Sequence, residues 1–432
     1  MKYEAISAGA LDESQTIGTP STNNSLKMQL RRAERWNRTR AFLLVVPLLL
    51  FVGVTFIMPI MDMLHRSIHD PLIVDHLPKT VAALESWDRQ QIPEDTTYAV
   101  LAQELVSLHK QRDLAKVAGR LNTEFSGMRS LLSKSARGLA RLNAGAGLES
   151  AADTREAMIR IDARWSDIQP WAAIKNLNSR YTLSYYLAAL DMHYDVSGDI
   201  SAQPERRQIY KALLIKTFAM SALITVLCLL LGYPLAHLLA TLPESRSNLL
   251  MIMVLLPFWT SLLVRTTSWI VLLQTEGVIN DVLISIGLIS ERIRMVHNLF
   301  GTVIAMTHIL LPFMVLPLYS VMKNISPSYM RAARSLGAKP AYAFIHIYLP
   351  QTLPGIGAGA ILTFILSIGF YITPALVGGR SGQMISNFIA YHMQTSLNWG
   401  LAAALGGILL GMVLLLYFVY NRLIGINSLK VG

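Results

Sequence analysis

Apolar and polar residues follow each other along the chain in long blocks rather than at the short periods of a soluble domain. Six apolar blocks exceed 20 residues, and apart from Asp62 near the end of the first they contain no Asp, Glu or Lys. A helix of about 20 apolar residues crosses about 30 Å of hydrocarbon. The pattern predicts an all-α, polytopic membrane protein with six transmembrane helices, at 41–64, 217–243, 249–274, 298–322, 355–377 and 398–420.

The first two apolar blocks are separated by residues 65–210, whose composition is that of an ordinary soluble domain. Apolar residues at helical spacing, such as Leu101, Leu105, Leu108 and Leu114, predict that 81–89 and 98–142 are helical. Pro93 and 143–147 are predicted breaks, and further helices are expected over 153–168 and from Trp171 or Thr182. We expect a small domain of helical hairpins inserted between the first and second membrane helices.

Composition supports the membrane assignment. Hydrophobic residues make up 53% of the chain and charged residues 15%, with a mean hydropathy of +0.41. Soluble proteins carry about 25% charged residues, so a cytosolic enzyme, a disordered regulator and a collagen-like fibre are excluded. The single Cys228 excludes an intrachain disulfide and a cysteine-based metal site.

The distribution of charge predicts the orientation. Residues 66–207 contain 18 basic and 18 acidic side chains, so the formal net charge of +11 lies outside them. Basic residues flank the apolar blocks, as at cytoplasmic membrane edges, rather than forming a nucleic-acid-binding surface. We therefore expect both termini in the cytoplasm, no cleaved signal peptide, a cytoplasmic basic segment at 1–40, an extracytoplasmic insertion at 65–210, and a five-helix core at 211–432 with a cytoplasmic loop at 323–354.

Residues 324–350 form the most informative segment. Ser326 is a good N-cap and Pro327 a good first residue for a helix over 327–336. Gly337 stands where a left-handed C-terminal turn needs no side chain. Pro340 opens a second helix, which Leu349-Pro350 and Pro354 are expected to end or kink.

The same segment resembles the "EAA" loop of ABC importer permeases. The spacing of the family's motif is matched by Arg331, Ala332, Ala333, Gly337, Ile347, Leu349 and Pro350. Arg331 stands where the family has Glu. The resemblance runs from about residue 212 to the C-terminus and does not cover the insertion. Four further segments are similar in particular to those of spermidine/putrescine permeases: 257–260 with Arg265, 311–319, 354–355 and 378–379.

This resemblance implies a binding-protein-dependent permease of the bacterial inner membrane. The loop would be a coupling helix that docks on an ATPase dimer, and the pore would include a second permease subunit. An extracytoplasmic solute-binding protein would deliver a polyamine-like or related solute. The chain has no GxxxxGK[S/T] phosphate loop, so it is expected not to be an enzyme and to carry no cofactor, with ATP and Mg bound by the ATPase subunits.

Trp259, Thr260 and Arg265 are candidates for the translocation path, because an ionisable residue within an apolar block is often functional. The alternatives are that Arg265 snorkels to the outer interface and that the Trp anchors there. His237 and His308 are expected to bond to neighbouring helices rather than to bind a ligand. The pairs Gly355/Gly359 and Gly407/Gly411 are expected to permit close helix packing.

Other functions remain as alternatives at this stage. Residues 324–350 could be a plain pair of interfacial helices. A stand-alone secondary transporter would need carboxylates within its spans, and a membrane sensor would need a long signalling region after its second span. The insertion could contact the solute-binding protein or serve only stability and assembly.

Overall fold

The computed structural model describes residues 20–143 and 150–424, in two compact units, Met1–Met63 and Leu64–Gly432. The first unit is helical: α1 (Pro20–Val52) passes through a π-helical turn (Gly53–Ile57) into α2 (Met58–Arg66). Its apolar stretch, Arg38–Arg66, is long enough to cross a membrane. The first part of the predicted segment 1–40 lies outside the described residues.

The insertion contains eight short helices and two strands among its described residues. The helices are α3 (Leu72–His76), α4 (Pro78–Glu85), α5 (Asp95–Gln111), α6 (Leu114–Glu124), α7 (Met128–Asn143), α8 (Ala151–Ile161), α9 (Ile168–Lys175) and α10 (Ser184–Ala189), and the strands are β1 (Met192–Tyr194) and β2 (Ile200–Ala202). The strands pair antiparallel, His193 opposite Ser201. The hairpin corrects the all-α prediction, since Gly198, at φ 94°, permits a tight turn there.

The helical stretch predicted over 98–142 is divided into three helices. Arg112 adopts a left-handed conformation, φ 65°, at the end of α5, and Gly127, φ 99°, precedes α7. The Asn122 side-chain oxygen accepts hydrogen bonds from the amides of Gly127 and Arg129, which holds the second turn. Leu101, Leu105, Leu108 and Leu114 are buried, as their spacing predicts, around the fully buried Tyr98, Trp165 and Trp171.

The described residues that follow the insertion, which we call the core, contain twelve α-helices. They are α11 (Tyr210–Thr241), α12 (Glu244–Leu255), α13 (Leu262–Leu273), α14 (Val278–Ser285), α15 (Leu299–Lys323), α16 (Pro327–Ser335), α17 (Pro340–Ala343), α18 (Leu349–Gly369), α19 (Ile372–Val377), α20 (Gly379–Gly382), α21 (Ile385–Gln394) and α22 (Trp399–Ile424).

Helices α11, α15 and α18 pack together at the centre of the core. Cys228 lies beside Thr307 and Gly232 beside Met314, so α11 and α15 run parallel. Gly355 lies beside Val321 and Gly359 beside Met314, so α18 runs antiparallel to both. A Cβ on Gly359 would lie 2.8 Å from the Met314 sulfur, which confirms close packing at this glycine. Gly411, in contrast, has no neighbour within 4 Å in the described structure.

The parallel course of α11 and α15 has a topological consequence. The start of α11 adjoins the insertion, whereas the end of α15 leads into α16. We call these the insertion end and the loop end of the core. Because α11 ends and α15 begins at opposite ends, the chain through α12, α13 and α14 returns from the loop end to the insertion end.

Five described helical segments are long and apolar enough to cross a membrane: Arg38–Arg66, Tyr210–Thr241, Leu299–Lys323, Pro340–Gly369 and Trp399–Arg422. The membrane segment predicted over 249–274 is not one continuous helix, because Glu244–Trp259 and Leu262–Ser285 meet at 98°. Pro257 lacks an amide donor, and Thr260 and Ser261 are extended. The count is six if this bent pair is one span. The predicted helix over 355–377 is also divided, since Phe370 is extended between α18 and α19.

The insertion is attached to the core through α10 and the loop that follows it. Arg120 is buried, bonds the Asp70 carboxylate and lies 4.5 Å from the Tyr185 ring centre. Tyr185 packs in one apolar cluster with α11, α21 and α22. Burial raises the pKa of the Tyr185 hydroxyl, which donates to Asp70 at 3.1 Å. The two parts are therefore joined by buried side chains as well as by the chain itself.

Candidate functional site

The sequence signals around α16 produce the predicted local structure. The Ser326 hydroxyl accepts a hydrogen bond from the Ser328 amide at 3.3 Å, and Pro327 is the first helical residue. Gly337 has φ 86°, and the Ala338 amide donates to the Ala333 carbonyl at 3.1 Å. This is the bonding pattern of a glycine-terminated helix. The helix predicted over 327–336 is confirmed to within one residue.

The two alanines of the loop point to different surroundings. Ala333 is buried, 4% exposed, and α16 packs there against the turn that follows α17. Ala332 is exposed, as are Arg331 and Arg334. One alanine therefore lets α16 lie close to the core, and the other lies on a face that a separate subunit could approach.

Exposed apolar side chains that the sequence reasoning missed lie elsewhere on the surface of the same loop. Leu336 is 89% exposed, and Tyr329, Tyr342 and Ile345 are more than half exposed. Residues 323–354 contain no Asp or Glu. The surface is thus apolar and cationic, a combination typical of a docking surface rather than of a solvated loop. The missed signal was Leu336 directly before Gly337, with Tyr329, Tyr342 and Ile345 nearby in the sequence, at positions where an unpartnered loop would be polar.

The second helix of the loop, predicted to end or kink at Leu349-Pro350 and Pro354, does not end there. The chain forms one helical segment over Pro340–Gly369, with a π-helical turn at Phe344–Tyr348. In this turn the Leu349 amide bonds the Phe344 carbonyl, five residues back. The wider turn precedes Pro350, whose missing amide would otherwise interrupt the bonding. Ile347 and Leu349 are half-buried and Pro350 is exposed.

Pro350 lies on the wall of a groove of about 1310 Å³ between α11, α15, α18 and α22. Tyr329 from α16 and Tyr420 from α22 also line it, and most of the lining is apolar. Of the predicted loop residues, Arg331 and Ala332 therefore belong to the outer face and Pro350 to this groove.

The residues predicted to line the translocation path lie in two places, at the bend before α13 and within α13. Trp259 is 73% exposed at the bend, where the Thr260 hydroxyl bonds only the Pro257 carbonyl, at 3.0 Å. Arg265, in α13, is half-buried, and its Nε atom is buried without a hydrogen-bond partner in the described structure. In the neighbouring helix α15, His308 Nδ1 accepts a hydrogen bond from Trp269 at 3.1 Å.

Both histidines within the spans bond to neighbouring helices, as predicted. His308 of α15 bonds Trp269 of α13, and His237 of α11 lies 3.2 Å from the Tyr348 hydroxyl. Among residues 20–143 and 150–424, no group of three or more His, Cys, Asp or Glu could hold a metal ion.

Residues 229–425 match the family described as "Binding-protein-dependent transport system inner membrane component". The spermidine/putrescine transport system permease protein PotB of Haemophilus influenzae is 35% identical over 214 residues, 50% of this chain and 75% of that protein. PotB of Escherichia coli K12 is 36% identical over 219 residues, 50% of this chain and 80% of that protein. The chain belongs to this family of inner-membrane permeases. These homologues are permease subunits rather than enzymes.

A bacterial ABC transporter that imports alginate is similar in structure, with 21% identity and a TM-score of 0.41 over 51% of this permease and 81% of that chain. The resemblance to spermidine/putrescine permeases is confirmed by the sequence relatives. The insertion lies outside residues 229–425, the part that matches the family.

Proposed function

We propose that this permease is one subunit of the pore of an ATP-driven importer and that residues 324–350 couple it to a separate ATPase. The exposed surface of the loop carries the proposal. It includes the apolar Leu336 and Tyr329 as well as Arg331 and Arg334, at the end of the core away from the insertion. A folded loop with this exposed apolar area is stabilised when a partner covers it.

The proposed topology has six crossings, with the bent pair α12 to α14 as the third. The return of this pair from the loop end to the insertion end supports the count. The loop end would be cytoplasmic, because Lys323, Arg331, Arg334 and Lys339 cluster there. Both termini would then be cytoplasmic and the insertion extracytoplasmic.

The partners that we propose are an ATPase dimer, a second permease subunit and an extracytoplasmic solute-binding protein. ATP and Mg would be bound by the ATPase dimer, with no cofactor on this chain. Since residues 323–354 contain no Asp or Glu, the ATPase groove that receives Arg331 would carry acidic side chains.

The solute would be small and polyamine-like or a related compound, as the names of the PotB relatives suggest. The apolar blocks contain no Asp or Glu in their cores, so carboxylates of the binding protein would select a cationic solute. Arg265 would line the path near His308 and Trp269. Trp259 and Thr260 would contribute at the bend of the third crossing.

Co-purification with the ATPase tests the coupling role. The tagged permease, co-expressed with its partner genes, is expected to retain the ATPase in mild detergent, whereas Gly337→Pro is expected to lose it because Pro cannot adopt φ 86°. Gly287→Pro is a matched control: Gly287 has φ 73°, and a Cβ added at either glycine would meet no atom within 4 Å. A permease that purifies alone and moves solute into liposomes without ATP would be a secondary transporter and would overturn the proposal.

A further inference from the structure

The π-helical turn Phe344–Tyr348 lies between the exposed loop and the centre of the core. Single π-helical turns within α-helices are rare and are often found at functional sites. Here the turn belongs to one helical segment that runs from Pro340 to Gly369. A displacement of the loop must therefore either move α18 or be absorbed at this turn.

Side chains from α11 hold the turn on one side. The His237 ring meets the rings of Phe344 and Tyr348 edge to face, at 5.6 and 5.1 Å between centres. Tyr233, one helical turn earlier, meets Phe344 at 6.3 Å. Phe344 and Tyr348 stack on each other at 5.4 Å. The π turn thus presents two aromatic rings to a matching pair on α11.

Two polar contacts accompany the rings. His237 Nδ1 and the Tyr348 hydroxyl are 3.2 Å apart, and the Tyr233 and Thr352 hydroxyls are 3.3 Å apart. Tyr348 is 7% exposed and Thr352 is fully buried. Polar groups in such an apolar setting are costly to separate from their partners. The contacts therefore favour movement of the turn together with α11.

We propose that His237 and Tyr348 are positioning residues that tie the π turn to α11, so that displacement of the loop moves α11 and α18 together. The inference rests on the proposed coupling function of the loop. A bond that served packing alone would affect the yield and thermal stability of the permease. A positioning bond also determines how much solute moves for each ATP hydrolysed.

The test uses the complete importer in vesicles, with its ATPase, second permease and binding protein, and measures solute moved per ATP hydrolysed. Tyr348→Phe and His237→Phe are expected to lower this ratio about fivefold, as for the loss of one hydrogen bond. The double variant should be no worse than either single variant. His237→Gln, whose amide can still bond Tyr348, should recover most of the ratio.

Tyr417→Phe is the matched control, because Tyr417 is half-exposed on α22 and belongs neither to the loop nor to the π turn. This variant should leave the ratio unchanged. Unchanged ratios in Tyr348→Phe and His237→Phe, or losses that multiply in the double variant, would overturn the inference. ATPase co-purification keeps the two proposals distinct: a wild-type permease that fails to bind the ATPase would overturn both, whereas normal binding with unaltered variants would overturn only this one.

Discussion

Asp191 illustrates how single residues join the insertion to the core. Its side chain accepts hydrogen bonds from the amides of Ile209, Tyr210 and Lys211 at 3.0, 3.0 and 2.8 Å. These amides begin α11 and have no partner within the helix. Asp191 is itself buried and left-handed, with φ 54°. One carboxylate thus fixes the start of the first core helix to the end of the insertion.

Replacement of Asp191 should destabilise this junction. Asp191→Ala is expected to cost about 1–3 kcal/mol, because it leaves three partly buried amides without this acceptor and puts Ala in a left-handed conformation. Asp191→Asn should cost less, since Asn tolerates that conformation and keeps one oxygen. Thermal unfolding of the purified permease measures both, with the exposed Glu205→Ala as control. Equal losses in the Ala and Asn variants would contradict this account of the carboxylate.

A second residue-scale prediction concerns pH. Hydrogen bonds from the Arg164 guanidinium, at 2.9 Å, hold the pKa of the Asp162 carboxyl well below its usual range. The pKa of this carboxyl is lower in the folded state, so the ionised group stabilises the fold at pH values above the ordinary Asp pKa of about 4. This stabilisation is lost as the pH falls further, towards the pKa of the folded state. Asp162→Asn should lower the unfolding temperature at pH 7, with a difference that shrinks below about pH 4. A difference that persists at low pH would contradict the ion-pair explanation.

At the scale of secondary-structure elements, local sequence patterns did not predict the structure where contacts between helices determine it. The N-cap and the glycine turn of α16 were predictable because their bonds join residues two to five apart. The π turn after α17 was not, because its rings face His237 and Tyr233 on another helix. The size of the bend before α13 could not be predicted either: Pro257 favours a kink, but an apolar block alone does not determine how far its helix bends.

The start of α22 gives a prediction at this scale. Gly400 lies against the ring of Tyr185, which is held by Arg120 and Asp70. A Cβ there would overlap the ring, so Gly400→Ala should destabilise the permease by about 1–3 kcal/mol. Gly411→Ala in the same helix is the control, since it has open space and Ala favours the helix. Thermal unfolding that ranks the two variants in the opposite order would contradict the proposed packing.

At the scale of the whole molecule, the insertion is a domain whose ends meet. His69 and Tyr181 form an antiparallel bridge, the Asp70 amide donates to the Arg180 carbonyl, and the Thr182 amide donates to the Ile68 carbonyl, both at 2.8 Å. The chain thus leaves and re-enters the core at one point. After residue 180, α10 and Asp191 both contact the core helices.

This arrangement defines a deletion that tests the role of the insertion. Joining Asp70 to Arg180 through a short Gly/Ser linker removes α3 to α9 but keeps the cap of α11. Asp70→Asn should accompany the deletion, since Arg120 would no longer balance the buried carboxylate. If the insertion docks the solute-binding protein, ATPase binding should persist while ATPase stimulation by the binding protein falls about tenfold, equivalent to about 1.4 kcal/mol of docking energy. Unchanged stimulation would contradict docking and favour a role in stability or assembly.

The sequence by itself determined that this protein is a helical membrane permease with a folded insertion and a glycine-terminated loop helix. Apolar length, charge asymmetry and helix capping are local properties, because they depend on the sequence itself and not on which helices pack together. Only the tertiary structure decided the bend of α12 against α13, the passage of α18 through a π turn and the pairing of His237 with Tyr348. That pair is 111 residues apart in the chain. Such contacts depend on which helices pack together, and packing depends on the whole fold rather than on any segment.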